Sequence, residues 1–291
     1  MRAVMRSMKG DRKRAMVWSY FFLVIFVIFF LAPPLYMLIT SLKSSAEISA
    51  VTNPWWIFHP TLENYTALLT SNSYLTFFRN SAVVSVLVVI VTMLISVPAA
   101  FSLSRMKFWG STTLATGVFL TYLIPETLLF IPLFKIFAWF NELTGIELIN
   151  HWWVLIVVYP TLTVPFCTWI MIGYFASIPK ELDEAALIDG AGYFQILTRI
   201  FIPVALPGII AATIFAFTVS WAQFLYPLAL TTSEDQLVLS VGIITTLIKG
   251  DVFTWGQIMT GALLGAAPPL IIYAFLMDYY IAGLTAGATK G

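Results

Sequence analysis

Residues 15–42 read Ala-Met-Val-Trp-Ser-Tyr-Phe-Phe-Leu-Val-Ile-Phe-Val-Ile-Phe-Phe-Leu-Ala-Pro-Pro-Leu-Tyr-Met-Leu-Ile-Thr-Ser-Leu, and none of these 28 residues is charged. A helix rises about 1.5 Å per residue, so about 20 apolar residues cross a hydrocarbon core about 30 Å thick. The run therefore reads as a membrane span. It is too long for the apolar core of a signal peptide, and no small-x-small cleavage site follows it. Pro33-Pro34 near its outer end marks a kink, which membrane helices tolerate.

Four more uncharged runs follow the first. They cover 25 residues between Arg79 and Arg105, 32 between Glu147 and Lys180, 34 between Arg199 and Glu234, and 26 between Asp251 and Asp278. A sixth apolar segment, about Ser111 to Phe137, contains Glu126 near its middle. In lipid each backbone N–H and C=O is paired within the chain, so these runs should be helices. None alternates as the strands of a membrane β-barrel do. The expectation is an all-α integral membrane protein with six transmembrane helices, at roughly 16–40, 80–103, 112–137, 151–174, 202–230 and 258–282. Composition agrees: 60% of the chain is hydrophobic and 10% charged, against about 25% charged in soluble domains.

The basic residues orient the spans, because Lys and Arg concentrate on the cytoplasmic side. With the N-terminus inside, Arg2, Arg6, Lys9, Arg12, Lys13, Arg14, Arg105, Lys107, Lys180, Arg199 and Lys290 are all internal, 11 of the 15. Lys43 and Lys249 fall outside, and Arg79 and Lys135 lie near outer helix ends. An even helix number then places both termini in the cytoplasm. The chain divides into a cytoplasmic segment 1–15, a transmembrane domain 16–282 and a cytoplasmic tail 283–291. The outer loops 41–79 and 231–257 are the main external segments. The first carries Asn53-Pro54-Trp55-Trp56 and His59-Pro60, with its Trp residues expected at the membrane interface.

Several chemistries lack their residues. A net charge of +1 gives no basic face for nucleic acid. A single cysteine, Cys167, allows neither a disulfide framework nor a Cys-rich zinc site. In an apolar span its thiol reads as an inert small hydrophobe. No G-x-x-x-x-G-K-[ST], H-E-x-x-H or G-x-S-x-G occurs, so neither a phosphate loop nor a hydrolase site is present in motif form. His59 and His151 read as interfacial residues, and no catalytic or metal-binding set is expected.

The inner segment 177–203 is different. Pro179 suits the start of a short helix, and Glu181, Asp183 and Glu184 suit its positive end. Gly190 and Gly192 break that helix, and a second helical run, Tyr193 to Ile202, follows. Four carboxylates thus cluster on the side where positive charge is favoured. The physics allows either a solvated surface helix or a docking surface for a cytoplasmic partner.

Glu184-Ala185-Ala186, then three residues, Gly190, nine residues and Ile200-x-Ile202-Pro203 resembles the EAA loop of binding-protein-dependent ABC importers. Asp189 also fits, and Ile202 stands where that family usually has Leu. Asn80-Ser81, Pro125, Ile131-Pro132-Leu133-Phe134 and the tail Gly283–Gly291 are similar to carbohydrate-uptake permeases of the maltose-transporter type, specifically the shorter, six-helix permease. The resemblance implies that 177–203 forms a cytoplasmic coupling helix seated on an ATP-binding subunit through Glu184, Ala185, Ala186, Asp189 and Gly190. It also implies a second permease, two ATP-binding subunits that hold ATP and Mg, and an extracytoplasmic solute-binding protein met by loop 231–257. No cofactor is then expected in this chain, and the solute would be a carbohydrate or related polyol.

Within the bilayer Glu126 stands out. A carboxylate there costs about 2.5–3.5 kcal/mol on insertion scales. Tyr122 lies one turn earlier, and carboxylate plus aromatic is a plausible sugar-binding pair. A structural partner for Arg79 or Lys135, or an interhelical hydrogen bond, explains it equally well. In span five Gln223 and Tyr226 are i, i+3 neighbours that can face one cavity. That family commonly has Trp-Asn and an acidic residue where this chain has Trp221-Ala222-Gln223. The expected solute path is therefore Tyr122, Glu126, Gln223 and Tyr226. The alternative is an ion-coupled secondary transporter that uses Glu126 for coupling and needs no partner.

Overall fold

The uncharged runs become helices, but two of them break. The computed structural model describes residues 2–50, 55–70, 72–106, 108–249 and 252–286. Asn53-Pro54, Lys107, Asp251 and the tail from Gly287 lie outside them. Contacts divide the chain into two units, one of Met1–Thr70 with Leu247–Leu264 and one of Ser71–Thr246 with Gly265–Gly291.

In the first unit α1 (Arg2–Ser41) contains the opening run, with Pro33 and Pro34 inside the helix. Its side chains from Lys13 to Leu31 are all exposed. A helix apolar all round is a lipid-facing helix. Short helices α2 (Ser45–Ser49) and α3 (Glu63–Thr70) follow. The buried Asn64 of α3 donates from Nδ2 to the carbonyls of Ser41 (3.0 Å) and Lys43 (2.8 Å). It thereby satisfies carbonyls that the end of α1 leaves unpaired.

The second unit is built on α4 (Asn72–Arg105). It continues through α5 (Ser111–Tyr122), α6 (Glu126–Thr144), α7 (Val154–Val158), α8 (Pro160–Ser177) and α9 (Lys180–Ile188). Then come α10 (Tyr193–Ile196), a π-turn over Leu197–Phe201, α11 (Ile202–Val204), α12 (Leu206–Ala222), α13 (Leu225–Leu230) and α14 (Leu239–Leu247). A two-residue antiparallel pair, β1 (Ile248–Lys249) and β2 (Val252–Phe253), belongs to the first unit, and α15 (Trp255–Ala286) contributes residues to both. Among the described residues five helices are long and apolar enough to cross a membrane, or six if the bent pair Tyr193–Val204 and Leu206–Ala222 is one span.

Two cores hold the second unit. In one, Phe101 of α4, Phe175 of α8 and Phe201 of the π-turn meet edge to face, with ring centroids 5.0–6.3 Å apart. In the other, Val84 and Val88 of α4 pack with Leu155 and Tyr159 and with Tyr226 and Leu230 of α13. Thr92 and Thr163 exchange a buried 2.6 Å hydrogen bond between α4 and α8. Cys167 is buried in the first core, its thiol 3.5 Å from the Ala212 carbonyl.

Three expectations are corrected. Span three is not one helix over 112–137. α5 ends at Tyr122, and α6 starts at Glu126 after Pro125. Proline has no N–H and drives the residue before it out of the helical region. At 12 residues α5 spans only about 18 Å. Glu126 therefore sits in the first turn of α6, where the helix dipole favours a carboxylate, rather than in mid-helix. Span five, expected over 202–230, bends by 81° ahead of α12 and breaks again at Gln223, whose ψ is 129°. The outer segment 231–257 is polar only at its start. It then forms α14, with Leu239, Val241 and Gly242 buried.

Gly208 and Gly242 set helix spacing in the second unit. A Cβ on Gly208 would lie 2.4 Å from the Tyr174 ring, and one on Gly242 would lie 2.3 Å from the Phe77 ring. In span six a Cβ on Gly265 of the Gly261/Gly265 pair would lie 3.0 Å from Leu239. Gly208→Ala should lower the thermal midpoint of the purified protein by an overpacking cost of about 1–3 kcal/mol. Gly173→Ala, where nothing lies within 4 Å, should match or exceed the parent. Equal midpoints for the two variants would contradict the packing assignment.

Candidate functional site

Helix α9, expected on the inner side, follows Pro179 (φ −56°) and carries Glu181 and Asp183 in its first turn. It closes at Gly190, which adopts the left-handed φ of 81°. There the N–H groups of Gly190 and Ala191 donate to Leu187 (3.1 Å) and Ala186 (2.9 Å), a helix ending that favours glycine. Glu184, Ala185, Asp189 and Gly190 are exposed, whereas Ala186 packs against the Phe101 core. Beside them Ile188 and Phe194 are 87% and 77% exposed. This end of the unit presents carboxylates, two small residues and bare apolar side chains together.

Arg105 holds that helix in place, and the charge inventory had it only as one of 11 inner cations. Its side chain is 4% exposed, and Nη1 donates to Asp183 Oδ1 at 3.3 Å. Nη2 donates to the carbonyls of Phe175 and Ile178 at the end of α8. The guanidinium carbon lies 4.8 Å over the Phe201 ring. One planar fork thus joins α4, the carbonyl end of α8, α9 and the π-turn, a geometry lysine cannot reproduce. The visible signal was an arginine closing an uncharged run just ahead of the inner loop; its partners lie 70 and more residues away.

The second constellation lies at the two helix breaks. Gln223 Oε1 accepts from the N–H groups of Phe224 (2.8 Å) and Leu225 (3.1 Å), capping α13. That fixes the amide, so its Nε2 donates to Glu126 Oε2 at 2.9 Å. Glu126 therefore bonds to Gln223 rather than to Arg79 or Lys135, which selects the interhelical hydrogen bond among the structural readings. Glu126 and Tyr122 line a cavity of about 450 Å³ together with Thr121, Pro125, Thr161 and Val219. The Tyr122 ring stacks on Phe166 (4.9 Å), which contacts Phe215 (4.3 Å). Gln223 is buried behind Glu126. Tyr226 is 1% exposed in the second core and does not line the cavity. Because Gln223 sits in a break, the i, i+3 argument that paired it with Tyr226 on one face does not apply.

The start of the outer segment is pinned by side chains. Asn80 Nδ2 donates to the carbonyls of Asp235 and Leu237, both at 2.9 Å, and Ser81 Oγ accepts from Leu239 N–H at 2.8 Å. Asn150, at φ 66°, accepts through Oδ1 from the N–H groups of Thr232 (2.9 Å) and Ser233 (2.8 Å). The Asn80-Ser81 pair thus has a structural task, to hold residues 235–239.

Residues 89–285 match the family described as the binding-protein-dependent transport system inner membrane component. The chain is 33% identical to the sulfoquinovosyl glycerol transport system permease protein SmoH of Agrobacterium fabrum, over 90% of this chain and 89% of that protein. It is 30% identical to the trehalose/maltose transport system permease protein MalG of Thermococcus litoralis, over 92% and 94%. Its fold matches the crystal structure of a bacterial ABC transporter involved in the import of the acidic polysaccharide alginate, with TM-score 0.79, 20% identity and coverage of 93% of this chain and 98% of that one.

Removing one partner of a buried charge pair costs about 3–5 kcal/mol. Arg105→Met should therefore lower the thermal midpoint most, Arg105→Lys less, and Asp183→Asn least, since Asp183 is 18% exposed and makes one of the three contacts. Differential scanning fluorimetry in detergent reads the order. A midpoint for Arg105→Met equal to the parent would refute the anchoring role.

Proposed function

Because the chain belongs to the family of binding-protein-dependent transport system inner membrane components, we propose that it is the permease half that forms, with a second permease, the path for a carbohydrate or related polyol. It is a permease of an ABC importer in an inner membrane, and ATP hydrolysis belongs to a separate subunit. Membership also sets aside the partner-free, ion-coupled carrier. The sugar assignment draws on the solutes named for the relatives, sulfoquinovosyl glycerol and trehalose or maltose.

The observation that carries the docking half is the exposed surface of α9. Glu184, Ala185, Asp189 and Gly190 face outward on a helix whose base is held by Arg105. Two copies of an ATPase subunit, holding ATP and Mg, would seat on this helix and its counterpart in the partner permease. Ala185 allows close approach, and Glu184 offers a carboxylate to a basic residue. Exposed Ile188 and Phe194 supply apolar area that a partner would bury. On the reading that both termini and α9 are cytoplasmic, the pinned outer segment 231–239 faces the solute-binding protein.

Transport follows as alternating access. ATP closes the ATPase pair, α9 moves with it, and the permeases exchange an inward for an outward opening. ATP can drive this only through its different affinity for the two states. Arg105 makes the inner end of α4, α8 and α9 one body, so displacement of α9 is passed to the spans. The solute path on this chain runs by Tyr122 and Glu126, with Gln223 holding the carboxylate and Tyr226 packed behind in the core.

Ala185→Arg places a long cation on the docking face and should abolish co-purification of the ATPase and ATP-dependent uptake in proteoliposomes. Its thermal midpoint should stay within about 0.5 kcal/mol of the parent, as for an exposed site. Undiminished uptake would sink the docking assignment.

A further inference from the structure

We infer that the cavity between the α5–α6 break and α8 receives an uncharged, polyhydroxylated part of the solute and excludes an anionic one. The inference rests on the reading of this cavity as part of the solute path, and adds the chemistry it selects.

The lining is a set of acceptors. Gln223 Nε2 engages Oε2 of Glu126, and Oε1 has no donor among the described residues, which leaves it for a donor in the cavity that Glu126 lines. The amide cannot turn over, because its own oxygen is held by Phe224 and Leu225 N–H. Gln223 therefore positions the carboxylate without neutralising it. The Thr121 and Thr161 hydroxyls donate their protons to the carbonyls of Val118 and Val158, each at 2.7 Å. What they present beyond their own helices is lone pairs. Among the described residues no Lys, Arg or His lines the cavity.

The remaining wall is aromatic and apolar: Tyr122 on Phe166, with Phe215 behind, and Pro125 and Val219 beside. Such a wall accommodates the C–H face of a sugar ring, while sugar hydroxyls donate to Glu126, Thr121 and Thr161. A carboxylate, sulfonate or phosphate brings further acceptors and the same sign of charge. At an effective dielectric of about 20, a second negative charge about 5 Å from the first is disfavoured roughly a hundredfold. The aromatic wall and the carboxylate act together: ring-sized area for packing, and a charge that filters what accompanies the ring.

The test uses the assembled complex of this permease, its partner permease and the ATPase in detergent, read by native mass spectrometry. One probe is a mixture of uncharged oligosaccharides (malto- and cello-di- to tetraoses). The other is a mixture of uronic-acid oligosaccharides of the same lengths. The parent complex is expected to retain the first mixture at least tenfold more than the second. Glu126→Gln should raise retention of the uronic mixture at least tenfold, and Glu126→Lys should reverse the preference. Subunit composition is read in the same spectra, and the near-isosteric Gln variant carries the test if the Lys variant does not assemble. If the parent retains uronic oligosaccharides as readily as uncharged ones, and loses both on Tyr122→Ala, the path stands and the charge selection is overturned. If nothing is retained, or retention is unchanged by both Tyr122→Ala and Glu126→Gln, the path reading itself is overturned.

Discussion

One end of the second unit depends on one buried guanidinium. Arg105 is the last residue of α4, and it is almost wholly removed from water. A buried cation is costly unless its donors are matched. Here Nη1 and Nη2 are matched by Asp183 and by two carbonyls at the end of α8, while the buried Nε has no partner among the described residues. Those carbonyls are the groups a helix terminus leaves unpaired and carry its partial negative charge. Two deficits cancel: a cation without solvent, and a helix end without donors. The consequence is that one side chain ties α9 to the ends of both α4 and α8.

A second polar contact does comparable work inside the membrane-spanning region. Breaks at Leu123–Pro125 and at Gln223–Phe224 leave backbone groups unpaired, which lipid does not forgive. Gln223 caps the start of α13 with its oxygen and holds Glu126 with its nitrogen. The carboxylate in turn sits in the first turn of α6, where the dipole favours it. Discontinuous helices of this kind are where membrane transporters place their polar sites. The same bond that makes Glu126 tolerable also aims it, leaving one oxygen toward a cavity lined by other acceptors.

Much of this was legible in the chain and some was not. Run lengths gave the spans, because twenty consecutive uncharged residues have few places to go but a membrane. α9 was legible from Pro179, its acidic first turn and Gly190, all local signals. The breaks were half legible: Pro125 was visible, but a continuous helix through it was still expected, since membrane helices often absorb a proline. α14 was hidden by the polar Thr231–Asp235 ahead of it. Tyr226 was placed beside Gln223 by helical spacing, which fails once Gln223 leaves the helix. Arg105 was visible only as a charge.

The sequence by itself determined that the chain spans a membrane in helices, that a short acidic helix ends at Gly190, and that a carboxylate lies among apolar residues. Each of these follows from neighbours within a few turns, where desolvation and backbone geometry act on contiguous residues. Only the tertiary structure decided that Arg105 meets Asp183, 78 residues on, and that Glu126 meets Gln223, 97 residues on. Arg79, Lys135 and Gln223 were all chemically acceptable partners for Glu126. Which of them it meets depends on how helices distant in sequence pack, and on glycines such as Gly208 that let α8 and α12 approach.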